Sequence, residues 1–221
     1  MKTCVVIPTY NEDKTISELI DKIRSLGLDI VIVDDGSTDN TAKIAAEKGV
    51  LLIRNEKNEG KGSSLIKGFN YSLDKGFDAV ICMDGDGQHL PEEIPNFIHL
   101  AEHSTSSIFV GNRMSKTRNM PFIRMLTNRF MSWFISQVAR QKIYDTQCGF
   151  RLIKNDVLRK VGLKTSKFEI ESELLIQASR LGFKIESVPI KSVYAGEKSQ
   201  INPFLDTIRF IKFILKELKA K

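Results

Sequence analysis

Five short apolar runs, at residues 5–7, 30–33, 50–53, 79–83 and 108–110, show no in-and-out alternation, and amphipathic stretches at 12–25, 38–48, 61–74 and 91–103 separate them. A strand with one wet face alternates; an unbroken run belongs to a strand covered on both faces. Such runs, joined by helices, specify a parallel sheet wrapped by helices. Ligands of these sheets bind beyond the carboxyl ends of the strands. Three of the runs end there in polar clusters: Pro8-Thr9-Tyr10-Asn11-Glu12, Asp34-Asp35-Gly36-Ser37 and Asp84-Gly85-Asp86-Gly87-Gln88.

The second half of the chain changes character. A long helical pattern at 120–141 sets Phe122, Leu126, Phe130, Trp133, Phe134 and Val138 along one face. A polar turn follows at 145–151, then a helix at 169–181, a last strand at 185–190 and a closing helix at 204–218. With no internal repeat and no linker, the expectation is one domain at 1–203 closed by an amphipathic helix at 204–221. That helix pairs an apolar stripe (Leu205, Ile208, Ile211, Leu215, Leu218) with a net charge of +3. It fits an interfacial helix, or a helix packed on its own domain with a solvated basic face.

Composition enters as a set of exclusions. At 42% apolar and 27% charged residues the chain can bury a core and is not disordered. Three cysteines, Cys4, Cys82 and Cys148, without C-x-x-C spacing exclude a disulfide framework and a cysteine zinc site, and suit a reducing compartment. No run approaches the roughly 20 apolar residues of a bilayer span, and the apolar stretch before Pro8 is too short for a signal peptide. The expected location is cytoplasmic, peripheral on the inner face of the membrane. The net charge of +6 is unevenly placed, with seven basic residues and no acid between His103 and Tyr144. Apart from that segment and the closing helix, the chain is net negative by four. Anionic substrates and anionic head groups are the expected partners, and nucleic acid is not.

Asp84-Gly85-Asp86, leaving an apolar strand, offers two hard oxygen donors to one divalent cation of the Mg²⁺ or Mn²⁺ kind, with Gln88 as a neutral oxygen. Asp84-Gly85-Asp86-Gly87 also reads as an ordinary Asp-Gly turn. Asp34 and Asp35 suit hydrogen bonds to a ribose or base, while Ser37 or Asp39 suits a helix cap. Gly60-Lys61-Gly62 opens a helix whose amides and lysine would face an anion, without the spacing of a Walker loop. His89 neighbours the carboxylates, His99 and His103 are surface helix residues, and Cys148 is a packing thiol.

The ordered set VVIPTYNE at 5–12, VDDGSTDNT at 33–41, NEGKGSSLIKGF at 58–69, MDGDGQHLPE at 83–92, GNR at 111–113, DTQCGFRLI at 145–153 and EKSQI at 197–201 resembles family 2 glycosyltransferases. The likeness is to their polyprenyl-phosphate (dolichol-phosphate mannose synthase-like) branch and covers nearly the whole chain. It implies a GT-A fold, a Rossmann-like, mostly parallel α/β sheet flanked by helices. It implies inverting, metal-dependent transfer from a UDP- or GDP-linked sugar to a polyprenyl phosphate. Pro8, Tyr10, Glu12, Asp35, Lys61 and Asp84 would line the nucleotide site, and Asp84, Asp86 and Gln88 would hold Mg²⁺ or Mn²⁺. Asp86, Arg113, Arg129 and Asp145 would carry the chemistry, and Arg129, Arg151 and Lys198 would meet the acceptor phosphate. The membrane surface and a separate membrane subunit are the further partners implied. One departure is the absence of an arginine just before Gly196-Glu197-Lys198-Ser199. Two rivals share much of the pattern: a soluble transferase using Asp145 as base toward a hydroxyl, and a non-catalytic nucleotide-sugar or lipid-binding module. A haloacid-dehalogenase-type phosphatase fits poorly, because its D-x-D-G motif follows the first strand and Asp84 follows the fourth.

Overall fold

The valine and isoleucine runs become the centre of a seven-stranded sheet. The computed structural model describes residues 1–115, 120, 122–191 and 213. Its strands are β1 (Thr3–Thr9), β2 (Asp29–Asp34), β3 (Leu51–Arg54), β4 (Ala79–Cys82), β5 (Ile108–Asn112), β6 (Arg151–Lys154) and β7 (Ile185–Pro189). The helices are α1 (Ile16–Ser25), α2 (Thr41–Glu47), α3 (Lys61–Asp74), α4 (Ile94–His103), α5 (Phe122–Ala139), the short α6 (Asn155–Leu158) and α7 (Ile170–Arg180). Strand order is β3-β2-β1-β4-β6-β5-β7. Every pairing is parallel except those of β6, which runs antiparallel to both β4 and β5. The mostly parallel α/β reading is therefore correct.

Helices cover both faces, so the central strands have no polar side. Val5, Val6, Ile7, Ile32, Val33, Val80 and Ile81 are all fully buried, as are Ile16, Ile20 and Ile23 of α1. Each such side chain stabilises the fold by about 1.5–3 kcal/mol.

Strand β6 is absent from the sequence reading, which ends a polar turn at residue 151. Only Leu152 and Ile153 are apolar in its four residues, too few to register as a run. Its direction matters for the site. Because β6 is antiparallel, its first residue, Arg151, pairs with Cys82 at the carboxyl end of β4. The preceding turn therefore lies against the residues that follow β4.

Helix α5 divides the predicted stripe between solvent and the protein. The stripe Phe122, Leu126, Phe130 and Trp133 faces outward, while Asn128, Ser132, Ile135 and Ala139 are buried on the opposite side. Phe134 and Val138 pack partly against a small cluster of Ile135, Ile176 and Phe213. The predicted closing helix, the domain boundary at 203, Lys116, Arg118 and Lys198 lie outside the described residues, Phe213 excepted. Among the described residues no helix is long and apolar enough to cross a membrane.

Candidate active site

The loops after β1, β2 and β4 are stitched together by their own polar residues. Asn11, held at a left-handed φ of 59°, donates its amide to Ser37 Oγ and accepts from the Thr38 amide through Oδ1. The Glu12 amide donates to Thr41 Oγ1, and Thr15 Oγ1 donates to the Gly85 carbonyl. These bonds gather Tyr10, Glu12, Asp35 and the Asp84-Gly85-Asp86 turn at one end of the sheet. Thr9 Oγ1 is buried among them without a hydrogen-bond partner among the described residues, a donor that suits a ligand or water.

Asp35 is buried, and its carboxylate accepts from Asn55 Nδ2 (2.8 Å), the Glu59 amide (2.9 Å) and the Gly60 amide (2.8 Å). It orders the loop that leads into α3. The expectation of open amides at the start of α3 is corrected here. The amides of Gly62 and Ser63 both donate to the Ser166 carbonyl, at 2.9 and 3.2 Å. Gly60 sits at φ 107°, and a Cβ there would stand 2.3 Å from that same carbonyl. The anion seat of this helix is filled by protein.

Lys61 is likewise not open to solvent. Its Nζ lies 2.6 Å from Asp84 Oδ1 and 2.6 Å from Glu171 Oε1 in the first turn of α7. Burial alone would lower the lysine pKa, but the two carboxylates outweigh it and raise it. Burial likewise works to raise the pKa of Asp84, yet the Lys61 ammonium holds it well below the usual carboxylate range. Burial pushes His89 down to about 4. It is therefore neutral at pH 7, and its Nδ1 accepts a long bond from the Asp84 amide, at 3.4 Å. Burial also pushes the Cys148 thiol up to about 12, in keeping with a packing role. Beneath the cluster a cavity of about 10 Å³, lined by Pro8, Lys61, Asp84, Gly149, Arg151 and Glu171, holds one water at most. A larger cleft of about 430 Å³ opens at the amino end of the strands, beside Lys2 and Asp29, away from these groups.

The 145–151 turn sets Gly149 against Asp84. A Cβ at this position would lie 2.6 Å from Asp84 Oδ2. Gly149→Ala is expected to push the carboxylate off Lys61 and lower kcat/KM about 10²-fold, the scale of a 1 Å misplacement. Its melting temperature should fall by only a few degrees, because the Asp84–Lys61 pair is displaced and not removed. A variant with parental kcat/KM would show that the position of Asp84 is not critical.

The four predicted basic and acidic groups of the second half have different fates. Arg113 and Asp145 form a buried two-pronged pair, Nε to Oδ2 at 2.8 Å and the second nitrogen to Oδ1 at 2.9 Å. The Arg113 amide adds a third bond to the same carboxylate, at 3.2 Å. Asp145 is wholly buried, so its placement does not present it as a base to an acceptor. Arg151 is buried too, and donates to the carbonyls of Cys148, Thr146 and Glu171. Its guanidinium braces the turn and α7 and is not presented to an acceptor phosphate. Arg129 is exposed on α5.

Glu171 and Gly149 were missed from sequence. Glu171 meets Lys61 from 110 positions away, and no local pattern marks it beyond an acidic first turn of a helix. Gly149 lies in the predicted polar turn, but its closeness to Asp84 is not legible until β6 is recognised.

For a metal, the donor set fits a hard cation. Asp84 is ionised and already holds a cationic ammonium, and Asp86, which accepts from the Gln88 amide at 3.0 Å, adds a second carboxylate. Among the described residues no group of three or more His, Cys, Asp or Glu side chains could enclose an ion. Two carboxylates suit an ion that completes its shell with substrate phosphate and water.

The chain matches the model of the family described as glycosyl transferase family 2 over residues 4–162. It is 30% identical, over 86% of its length and 85% of the relative, to UDP-N-acetylglucosamine–dolichyl-phosphate N-acetylglucosaminyltransferase of Methanococcus voltae. It is 27% identical, over 87% of its length and 84% of the relative, to undecaprenyl-phosphate mannosyltransferase of Micrococcus luteus. Its fold matches glucosyl-3-phosphoglycerate synthase from Mycobacterium tuberculosis, solved with Mn²⁺, UDP-glucose and phosphoglyceric acid. That match has a TM-score of 0.76 at 18% identity and covers 98% of this chain and 79% of the other. The same synthase has been solved with Mg²⁺ and UDP.

Proposed function

The chain belongs to glycosyl transferase family 2, and from that membership we propose that it transfers a sugar, with inversion, from a nucleoside-diphosphate sugar to a polyprenyl phosphate. The observation that carries the choice of acceptor is the Arg113–Asp145 pair. A hydroxyl acceptor needs a base to remove its proton, and the candidate base already bonds Arg113 through both oxygens. A phosphate monoester has its second pKa near 6 and is ionised at neutral pH. It needs positioning rather than deprotonation. The names of the two relatives, both transferases to polyprenyl phosphates, support the same acceptor.

In the proposed reaction an oxygen of the acceptor phosphate attacks the anomeric carbon. The bond from that carbon to the diphosphate oxygen breaks, and its electron pair leaves with the nucleoside diphosphate. Mg²⁺ or Mn²⁺ on Asp84, Asp86 and Gln88 would supply Lewis-acid neutralisation of that leaving charge. Lys61 keeps Asp84 ionised and, with Glu171, fixes its orientation. Pro8, Tyr10, Glu12 and the Asp35 loop form the nucleoside side of the crevice. Arg129, with Lys198, receives the acceptor phosphate by charge-assisted hydrogen bonds. We take a UDP-linked donor as the first choice over GDP, and the cytoplasmic face of a membrane, with or without a separate membrane subunit, as the place of reaction.

A panel of nucleotide sugars offered with polyprenyl phosphate and Mg²⁺ or Mn²⁺ tests this. Nucleoside diphosphate should be released only when the lipid phosphate is present. Release with a sugar or protein hydroxyl while the lipid phosphate stays inert would overturn the acceptor. Donor binding without turnover on any acceptor would make the chain a binding module.

A further inference from the structure

Helix α5 carries a surface that neither the fold nor the transfer chemistry uses. Phe122, Ile123, Leu126, Phe130 and Trp133 are 71%, 79%, 60%, 60% and 58% exposed. At 3.6 residues per turn they share an arc of about 100°. The buried residues Asn128, Ser132, Ile135 and Ala139 occupy the opposite side. The rings of Phe130 and Trp133 stand 6.2 Å apart, centroid to centroid, so the patch is contiguous there. A soluble surface rarely leaves a contiguous apolar face of this kind without a partner.

Charge selects the partner. The segment between His103 and Tyr144 has no acid; of its basic residues Arg113 is buried in its pair with Asp145, while Arg129, Arg140 and Lys142 are exposed. A second copy docking by a two-fold axis would set this positive face against itself. The predicted closing helix is also net positive, by three, and its Phe213 is buried with Ile135, on the far side of α5. An anionic head-group layer over an acyl boundary complements both the charge and the apolar arc.

Building on the lipid-phosphate reading of the acceptor, we infer that the outer face of α5 seats the enzyme on an anionic bilayer. The five apolar side chains enter the acyl boundary, and the basic residues lie among the head groups. The seat is coupled to the site by short links. Ser132 Oγ accepts the Thr146 amide at 2.9 Å, so α5 holds the turn that sets Gly149 against Asp84. An acceptor embedded in the bilayer would be delivered beside that turn.

Trp133 is the single tryptophan of the chain and reports directly. The full chain is mixed with phosphatidylcholine vesicles, with and without phosphatidylglycerol. Trp133 emission should shift to the blue, and be quenched by brominated acyl chains, only when phosphatidylglycerol is present. Phe130→Ser should weaken vesicle partitioning at least about tenfold. Its melting temperature, and its turnover of a short, water-soluble prenyl phosphate, should stay unchanged. No shift, or an equal shift on phosphatidylcholine alone, overturns the seat. A shift that grows with protein concentration without lipid also overturns it, in favour of self-association. If Trp133 fails to insert while the soluble prenyl phosphate is turned over, the seat falls and the proposed function stands. If Trp133 inserts and no prenyl phosphate is used, the function falls and the seat stands.

Discussion

Asp86→Ala is expected to lower the rate of nucleoside-diphosphate release about 10²–10³-fold, the usual loss when one element of leaving-charge stabilisation is removed. Asp86 is the better probe of the two carboxylates. It is half-buried, and the Gln88 amide it accepts lies within its own turn, so the fold should tolerate the change. Asp84 cannot be removed so cleanly, because Lys61 would keep only Glu171 as a counter-charge in a buried setting. A chelator should inhibit the parent to a similar degree and leave Asp86→Ala with little more to lose. Undiminished turnover in the variant, or in the parent with all metal chelated, would refute the role given to these carboxylates.

Asp145→Ala should have the largest effect on stability, about 3–5 kcal/mol, because it strands a buried guanidinium. The side chains of Arg113 and Asp145 are only 7% and 0% exposed, so solvent offers Arg113 little relief. Replacing the pair together, as Arg113→Met with Asp145→Leu, should recover most of the loss, since hydrophobic substitutes for a buried pair are often neutral or better. Denaturant midpoints of the two single variants and the double variant form the cycle that separates these cases. A loss below about 1 kcal/mol in Asp145→Ala would mean that the pair is not structural. The base role would then need reopening, with the pH profile on hydroxyl acceptors as its measure.

The parallel sheet was legible because it rests on composition within short windows: valine and isoleucine runs ending in polar loops. The carboxylate turn at 84–86 was legible for the same reason. What was not legible depends on partners distant in the chain. Nothing near Lys61 predicts Glu171, so a lysine expected to face a phosphate turned out to neutralise two carboxylates. Arg113, Arg151 and Asp145 look like surface chemistry in a list of motifs. Burial converts the first and third into a pair and the second into a brace for carbonyls. The stripe on α5 was legible as a stripe, but periodicity does not say which side of a helix meets its own core.

Strand β6 also sets an order on how the molecule can be made. It lies between β4 and β5, yet it follows both in the chain. Strands β3, β2, β1 and β4 can pair as soon as residues 1–82 are available. Until Arg151–Lys154 arrives, however, β4 is an uncovered edge whose Val80 and Ile81 invite pairing with another chain. Among the described residues the β5–β7 half pairs with that sheet only through β6. Synthesis of residues 83–154 is thus a window of aggregation risk, and the four residues that close it also place Gly149 beside Asp84.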